Sequence, residues 1–358
     1  MGKNERKNKY CNIGGIMTVK FRLALFSILF SIYVPKCISN DFILGVNAHI
    51  LHDSHADIQK TILMSNDLGV KSIRLDFPWA EVEPQKGQYK IPEKWDFAVN
   101  EMIKYGIQPL IILEYGNKYY NNGDKPTDDS SRAAFGKYVD VVSKHFKNRV
   151  QLYEVWNEWD SKLGKTTPGN VNDYKKLVRI VYPIIKNNDS NAIVITSAFS
   201  SGAFDKSTGI GKDDFMKDYL SSDIANYTDG VAIHPYTTYK PKPYNTYSTY
   251  KNDVNYSLKL LETHANLEEK GLYITEIGWS TVKGDKDGVS EQEQCDNIIK
   301  SINDAVKARV KALYIYDFKD DGIVQSAGVH FGLLKYDWSP KIAYNCLLDK
   351  YKSGKAQW

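Results

Sequence analysis

Eight times between residues 42 and 318, a short apolar run is followed by a stretch whose apolar residues recur every three or four positions. No other feature limits the fold as much, because strands that alternate with amphipathic helices must lie parallel, each helix crossing back over the sheet. The candidate strands are Phe42 to Ile50, Lys71 to Phe77, Gln108 to Tyr115, Val150 to Trp159, Ala192 to Ser200, Asp229 to Tyr236, Leu272 to Trp279 and Val310 to Phe318. Between them, sets such as Ile58, Ile62, Leu63 or Ile298, Ile299, Ile302, Val306 give each helix one face to bury. Gly69, Gly106 and Gly271 stand just ahead of strands, where a left-handed turn from helix to strand is needed. An open doubly wound sheet would show a G-x-G-x-x-G turn after an early strand, and there is none. The expected fold class is therefore α/β, a (β/α)8 TIM barrel in a single domain over residues 40–358, with function gathered at the C-terminal ends of the strands.

Residues 1–39 read differently. They are basic up to Arg22, apolar from Leu23 to Val34, and end in the small-residue stretch Cys37-Ile38-Ser39. This is the pattern of a cleaved signal peptide, too short for a comfortable membrane span, with Met17 the more ordinary start and the mature chain beginning near Asn40. A secreted or periplasmic protein follows, with no stable membrane insertion after processing. The net charge of +4 resides in the leader, which holds seven of the 47 basic residues but one of the 43 acids, leaving 40 against 42. So balanced a mature chain has no electrostatic footprint for nucleic acid. Cys11 and Cys37 fall in the leader. Cys295 and Cys346 remain, open to a disulfide but read here rather as two buried free thiols.

The chemistry lies at two strand ends. The fourth strand closes on Glu154-Val155-Trp156-Asn157-Glu158-Trp159 and the seventh on Ile274-Thr275-Glu276-Ile277-Gly278-Trp279. Strands four and seven stand nearly opposite in an eight-stranded barrel, so Glu158 and Glu276 can face each other across its axis. Two facing carboxyls, one protonating a leaving oxygen and one attacking an anomeric carbon, are what retaining glycoside hydrolysis requires. Asn157 can donate to the sugar 2-hydroxyl. Trp79, Trp159, Trp279 and Trp338 follow strands and offer stacking faces for pyranose rings, two of the four being expected to serve. His49 and Asn47 on strand one point toward the same mouth, with one of them expected to turn to the helices. His49, His52 and His55 lie close together on a strand-to-helix loop read as surface, so no metal and no cofactor is expected.

The two strand ends resemble those of clan A glycoside hydrolases. The resemblance extends to Phe77-Pro78-Trp79-Ala80-Glu81-Val82-Glu83-Pro84-Gln85-Lys86-Gly87-Gln88-Tyr89, to Phe331-Gly332-Leu333-Leu334, and to Ser339-Pro340-Lys341-Ile342-Ala343-Tyr344. Within the clan the wording is most similar to family 39 and its bacterial exopolysaccharide-hydrolase relatives. The resemblance implies Glu158 as acid/base, Glu276 as nucleophile, Arg74 as the cation that keeps the nucleophile ionised, and His234 and Tyr236 beside the pair. It implies internal cleavage of a polysaccharide or oligosaccharide; separately, the protein is expected to be a monomer. One departure stands at strand eight, where relatives often carry Trp and this chain reads Tyr314-Ile315-Tyr316-Asp317. A non-catalytic carbohydrate-binding barrel is the rival reading, but it has no reason to keep both carboxyls.

Overall fold

The computed structural model describes residues 42–163, 166–204, 214–284, 286–356 and 358. The proposed leader lies outside them. Eight parallel strands close into one barrel in sequence order: β1 (Ile43–Ala48), β2 (Ser72–Pro78), β3 (Gln108–Glu114), β4 (Leu152–Val155), β5 (Ile193–Phe199), β6 (Gly230–Ile233), β7 (Leu272–Ile277) and β8 (Ala312–Ile315), with β8 pairing back to β1. Helices fill the intervals: α1 (His55–Asp67), α2 (Trp79–Val82), α3 (Glu93–Lys104), α4 (Asp129–His145), α5 (Val171–Asn188), α6 (Phe215–Leu220), α7 (Tyr247–Glu262), α8 (Glu291–Lys307) and α9 (Ile342–Lys352). The expected (β/α)8 barrel is thus the observed one. Among the described residues no helix is long and apolar enough to cross a membrane.

Local chemistry sets the boundaries. The Ser54 side chain caps α1 at the Asp57 amide, and Ser290 and Glu293 form a reciprocal capping box on α8. Gly69, Gly106 and Gly271 take φ of +72°, +70° and +77° ahead of their strands, a region where a side chain would be strained.

Two apolar layers hold the barrel. Leu110, Ile112, Leu152, Ile195, Tyr273 and Tyr314 fill its inside, and a larger layer packs the outer strand faces against the helices. Tyr314 lies where a Gly45 side chain would be, and its hydroxyl reaches the Ser72 hydroxyl at 2.8 Å. On the outside, α8 and α9 bring Cys295 and Cys346 to a Cα separation of 6.3 Å, and the two form a disulfide. The free-thiol reading is corrected. The residues stand 51 positions apart, and only the side-by-side packing of the two helices makes them neighbours.

Candidate active site

The C-terminal mouth of the barrel holds a cavity of about 350 Å³ that Glu158 and Glu276 both line. Its construction begins with an irregularity after β4. Trp156 and Glu158 both have left-handed backbone, with φ of +65° and +44°. Bonds from the Trp156 amide to the Leu113 carbonyl (2.9 Å) and from the Glu158 amide to the Ala198 carbonyl (2.8 Å) hold them there. In a regular strand Asn157 and Glu158 would face opposite ways. Here both reach the mouth.

Glu276 sits in β7 and is 7% exposed. Arg74, on β2 and 2% exposed, donates to its Oε1 at 2.6 Å. The Tyr236 hydroxyl donates to its Oε2 at 2.9 Å, and His234 Nδ1 lies 3.7 Å from the same oxygen. Burial works against the charged carboxylate, but His234 and Arg74, with the Tyr236 hydroxyl, outweigh it and hold Glu276 below its ordinary range. Arg74 is itself fixed by Glu154, Asn47 (2.7 Å) and the Asn157 side-chain oxygen (3.1 Å). With its oxygen occupied by the guanidinium, the Asn157 NH₂ group has no acceptor among the described residues and can turn to a ligand.

Glu158 has fewer ties. His234 Nδ1 lies 3.1 Å from its Oε1, and Ser161 donates to its Oε2 at 3.2 Å. His234 also meets the Thr275 hydroxyl at 3.0 Å through Nε2. Burial disfavours the imidazolium, yet Glu276 and Glu158 outweigh it and raise the imidazole above its ordinary value. Single ligand atoms of Glu158, His234 and Glu276 all lie within 4.8 Å of one another.

The structure thus brings Arg74, Asn157, Glu158, His234, Tyr236 and Glu276 together, with His49 on the cavity wall. Asn47 and His49 stand two positions apart and so share one face of the strand. Neither turns to the helices: Asn47 binds Arg74 inside, and His49 binds Asp76 at the rim. Trp79 and Trp279 are corrected as sugar platforms. Trp79 is fully buried, stacked on Tyr120 at 4.8 Å and donating to Glu83 at 2.7 Å. Trp279 is 4% exposed and packs on Tyr247 and Tyr250 of α7. Trp159 is likewise buried, and Trp338 lies under the ammonium groups of Lys60 and Lys319. A residue just past a strand end can turn into the layer between barrel and helices, and three of these indoles do.

Tyrosines form the wall instead: Tyr115, Tyr236, Tyr239 and Tyr316, with Phe331. Tyr316 stands at the end of β8, where the sequence departed from Trp, and packs edge-on against Tyr236 at 6.0 Å. Sequence reasoning also passed over Glu154, buried on Arg74, and Asp160, which takes the Ser200 amide at 2.9 Å. Burial, with Glu158 adding to it, pushes the Asp160 carboxyl up to about 7. Glu154 was legible only as an acid inside an apolar strand, a placement that demands a buried cation.

A model of cellulases, glycosyl hydrolase family 5, matches residues 39–315. The chain belongs to that family. That family falls within clan A of the glycoside hydrolases. A family 39 glycoside hydrolase from Bacteroides cellulosilyticus WH2 superposes with a TM-score of 0.71 and 28% identity, covering 88% of this chain and 65% of that one. A monomeric beta-xylosidase from Caulobacter crescentus CB15 superposes at 0.62 with 19% identity, over 87% and 68% of the two chains, and shares the fold. A 6-phospho-beta-glucosidase of Clostridium longisporum is 27% identical over 119 residues, 31% of this chain and 25% of its own length. The chain spans about a quarter of the curated relatives it matches.

Proposed function

We propose that this protein is a secreted retaining glycoside hydrolase that cleaves within a polysaccharide chain by double displacement, with Glu276 as nucleophile and Glu158 as general acid/base. The observation that carries the reading is the asymmetry of two carboxylates whose oxygens approach within 4.8 Å. Arg74 and the Tyr236 hydroxyl hold Glu276 ionised and aimed. Its free electron pair attacks the anomeric carbon while Glu158 gives a proton to the departing oxygen. Glu158 then takes a proton from water, which opens the glycosyl ester and returns Glu276 as carboxylate. Asn157, braced by Arg74, offers its NH₂ group to the sugar 2-hydroxyl, a contact that strengthens as positive charge develops on the ring.

An exopolysaccharide or capsule is the proposed substrate. A second cavity of about 300 Å³ adjoins the first through His49, which supports more than one sugar subsite. The disulfide supports an oxidising compartment. The test is digestion of a panel of purified bacterial polysaccharides, with products sized and their anomeric configuration read by NMR at early times. Oligosaccharides of retained configuration are expected. Products of inverted configuration would remove the double displacement, and monosaccharide release alone would remove the internal cleavage.

A further inference from the structure

One group of side chains on the rim takes no part in the proposed reaction. His49 follows β1, and Asp317 and Asp321 belong to the loop after β8, so the three come from opposite ends of the chain where the barrel closes. His49 Nδ1 meets Asp76 Oδ2 at 2.6 Å, which leaves Nε2 directed the other way. There it lies 3.3 Å from the Tyr316 hydroxyl and 3.6 Å from Asp317 Oδ2. One ligand atom each of His49, Asp317 and Asp321 falls within 4.8 Å of the others. All three line the second cavity.

Asp317 is 2% exposed. Its Oδ1 accepts from the Phe318 amide at 2.5 Å. Its Oδ2 has no hydrogen-bond donor among the described residues, only the imidazole at 3.6 Å. That separation is too long for a hydrogen bond. It is the separation of two ligands on one ion at about 2.1 Å from each, subtending an angle of about 120°. A carboxylate behind the far imidazole nitrogen is the arrangement that orients a metal-binding histidine. A sugar ammonium would use the carboxylates but gives the carboxylate-backed imidazole no role. His52 and His55 stand apart: His52 is exposed, and His55 pairs with Glu93 at 2.9 Å.

We propose that His49, Asp317 and Asp321 form a binding site for a divalent transition-metal ion, with zinc the ion that suits one imidazole and two carboxylates. Buried Asp317 and part-exposed His49, held by Asp76, supply the fixed ligands, and exposed Asp321 closes the set from the solvent side. The ion ties the ends of β1 and β8 together beside the catalytic cavity.

Isothermal titration of the purified, disulfide-bonded protein with Zn²⁺ tests this, with thermal melts to show that each variant is folded. One ion per chain is expected, raising the melting temperature. Asp321→Asn should weaken binding about tenfold or more, and Asp317→Asn should remove it. Glu158→Gln should leave it unchanged. Absence of Zn²⁺ binding would overturn the site. So would binding that Asp321→Asn leaves intact and Glu158→Gln abolishes, since the ion would then lie among Glu158, His234 and Glu276. Glucosamine binding that Asp317→Asn removes, in a protein indifferent to Zn²⁺, would make this an ammonium pocket and equally overturn the proposal.

Discussion

The two sides of the mouth differ in how firmly they hold their carboxyls. Glu276 is nearly enclosed, and both of its oxygens are taken, by a buried guanidinium on one side and a phenol on the other. Glu158 stands on a left-handed turn, partly open to the cavity, with a hydroxyl and the shared imidazole for company. A group that must stay charged and aimed needs fixed donors, while a group that must give up and regain a proton needs freedom to be either. The difference in surroundings is what assigns the proposed roles.

The strongest way to break the comparison is Glu276→Ala. Activity should fall by about 10⁴-fold or more, and azide should fail to give a glycosyl azide of retained configuration. Next comes Glu158→Ala, which should remain able to glycosylate itself from substrates with good leaving groups. Azide should then release the retained product, because only base-assisted deglycosylation is missing. If azide rescued the first variant with retention and not the second, the two roles would change places.

A smaller effect is expected from Arg74→Lys, which keeps the charge but loses the fork that spans Glu154 and Glu276. Glu276 is held below its ordinary range, so the active carboxylate is present above that lowered value and is lost as pH falls through it. Weakening the guanidinium contact raises that value. The acid limb of the kcat/KM profile should therefore move to higher pH, with kcat lower by about 10–100-fold. An unmoved acid limb would show that His234 and Tyr236 suffice to hold Glu276 ionised.

The smallest effect on the comparison should come from Cys346→Ala. The disulfide lies on the outer helices and touches neither carboxyl. Denaturant unfolding should show a loss of about 2–4 kcal/mol of stability while kcat/KM stays within about twofold. A large loss of activity in the folded variant would mean that the outer helices steer the mouth.

Much of this was legible because it is written in local pattern. Strand-helix alternation gave the barrel, since each period is visible within a few residues, and the two acids were found because each ends a strand in a recognisable phrase. What escaped depends on partners distant in the chain. The bracing of Arg74 by Asn47 and Glu154 joins three strands. The pairing of Cys295 with Cys346 needs two helices side by side. The tryptophans misled for a different reason: a large ring past a strand end can turn to the cavity or into the outer layer, and the choice depends on whether neighbours such as Tyr120 or Tyr250 leave a slot for it.

That burial has an optical consequence. Among the described residues no tryptophan lines the candidate cavity, whose aromatic wall is tyrosine and phenylalanine, and the indoles of Trp79, Trp156, Trp159 and Trp279 are buried. Emission from these four indoles should be blue-shifted in the native protein and should pass through a sugar titration nearly unchanged, moving to the red only when the chain unfolds. The same molecule therefore carries two separate spectroscopic channels: these four tryptophans report whether the barrel is intact, and the tyrosines of the cavity wall report whether the mouth is occupied.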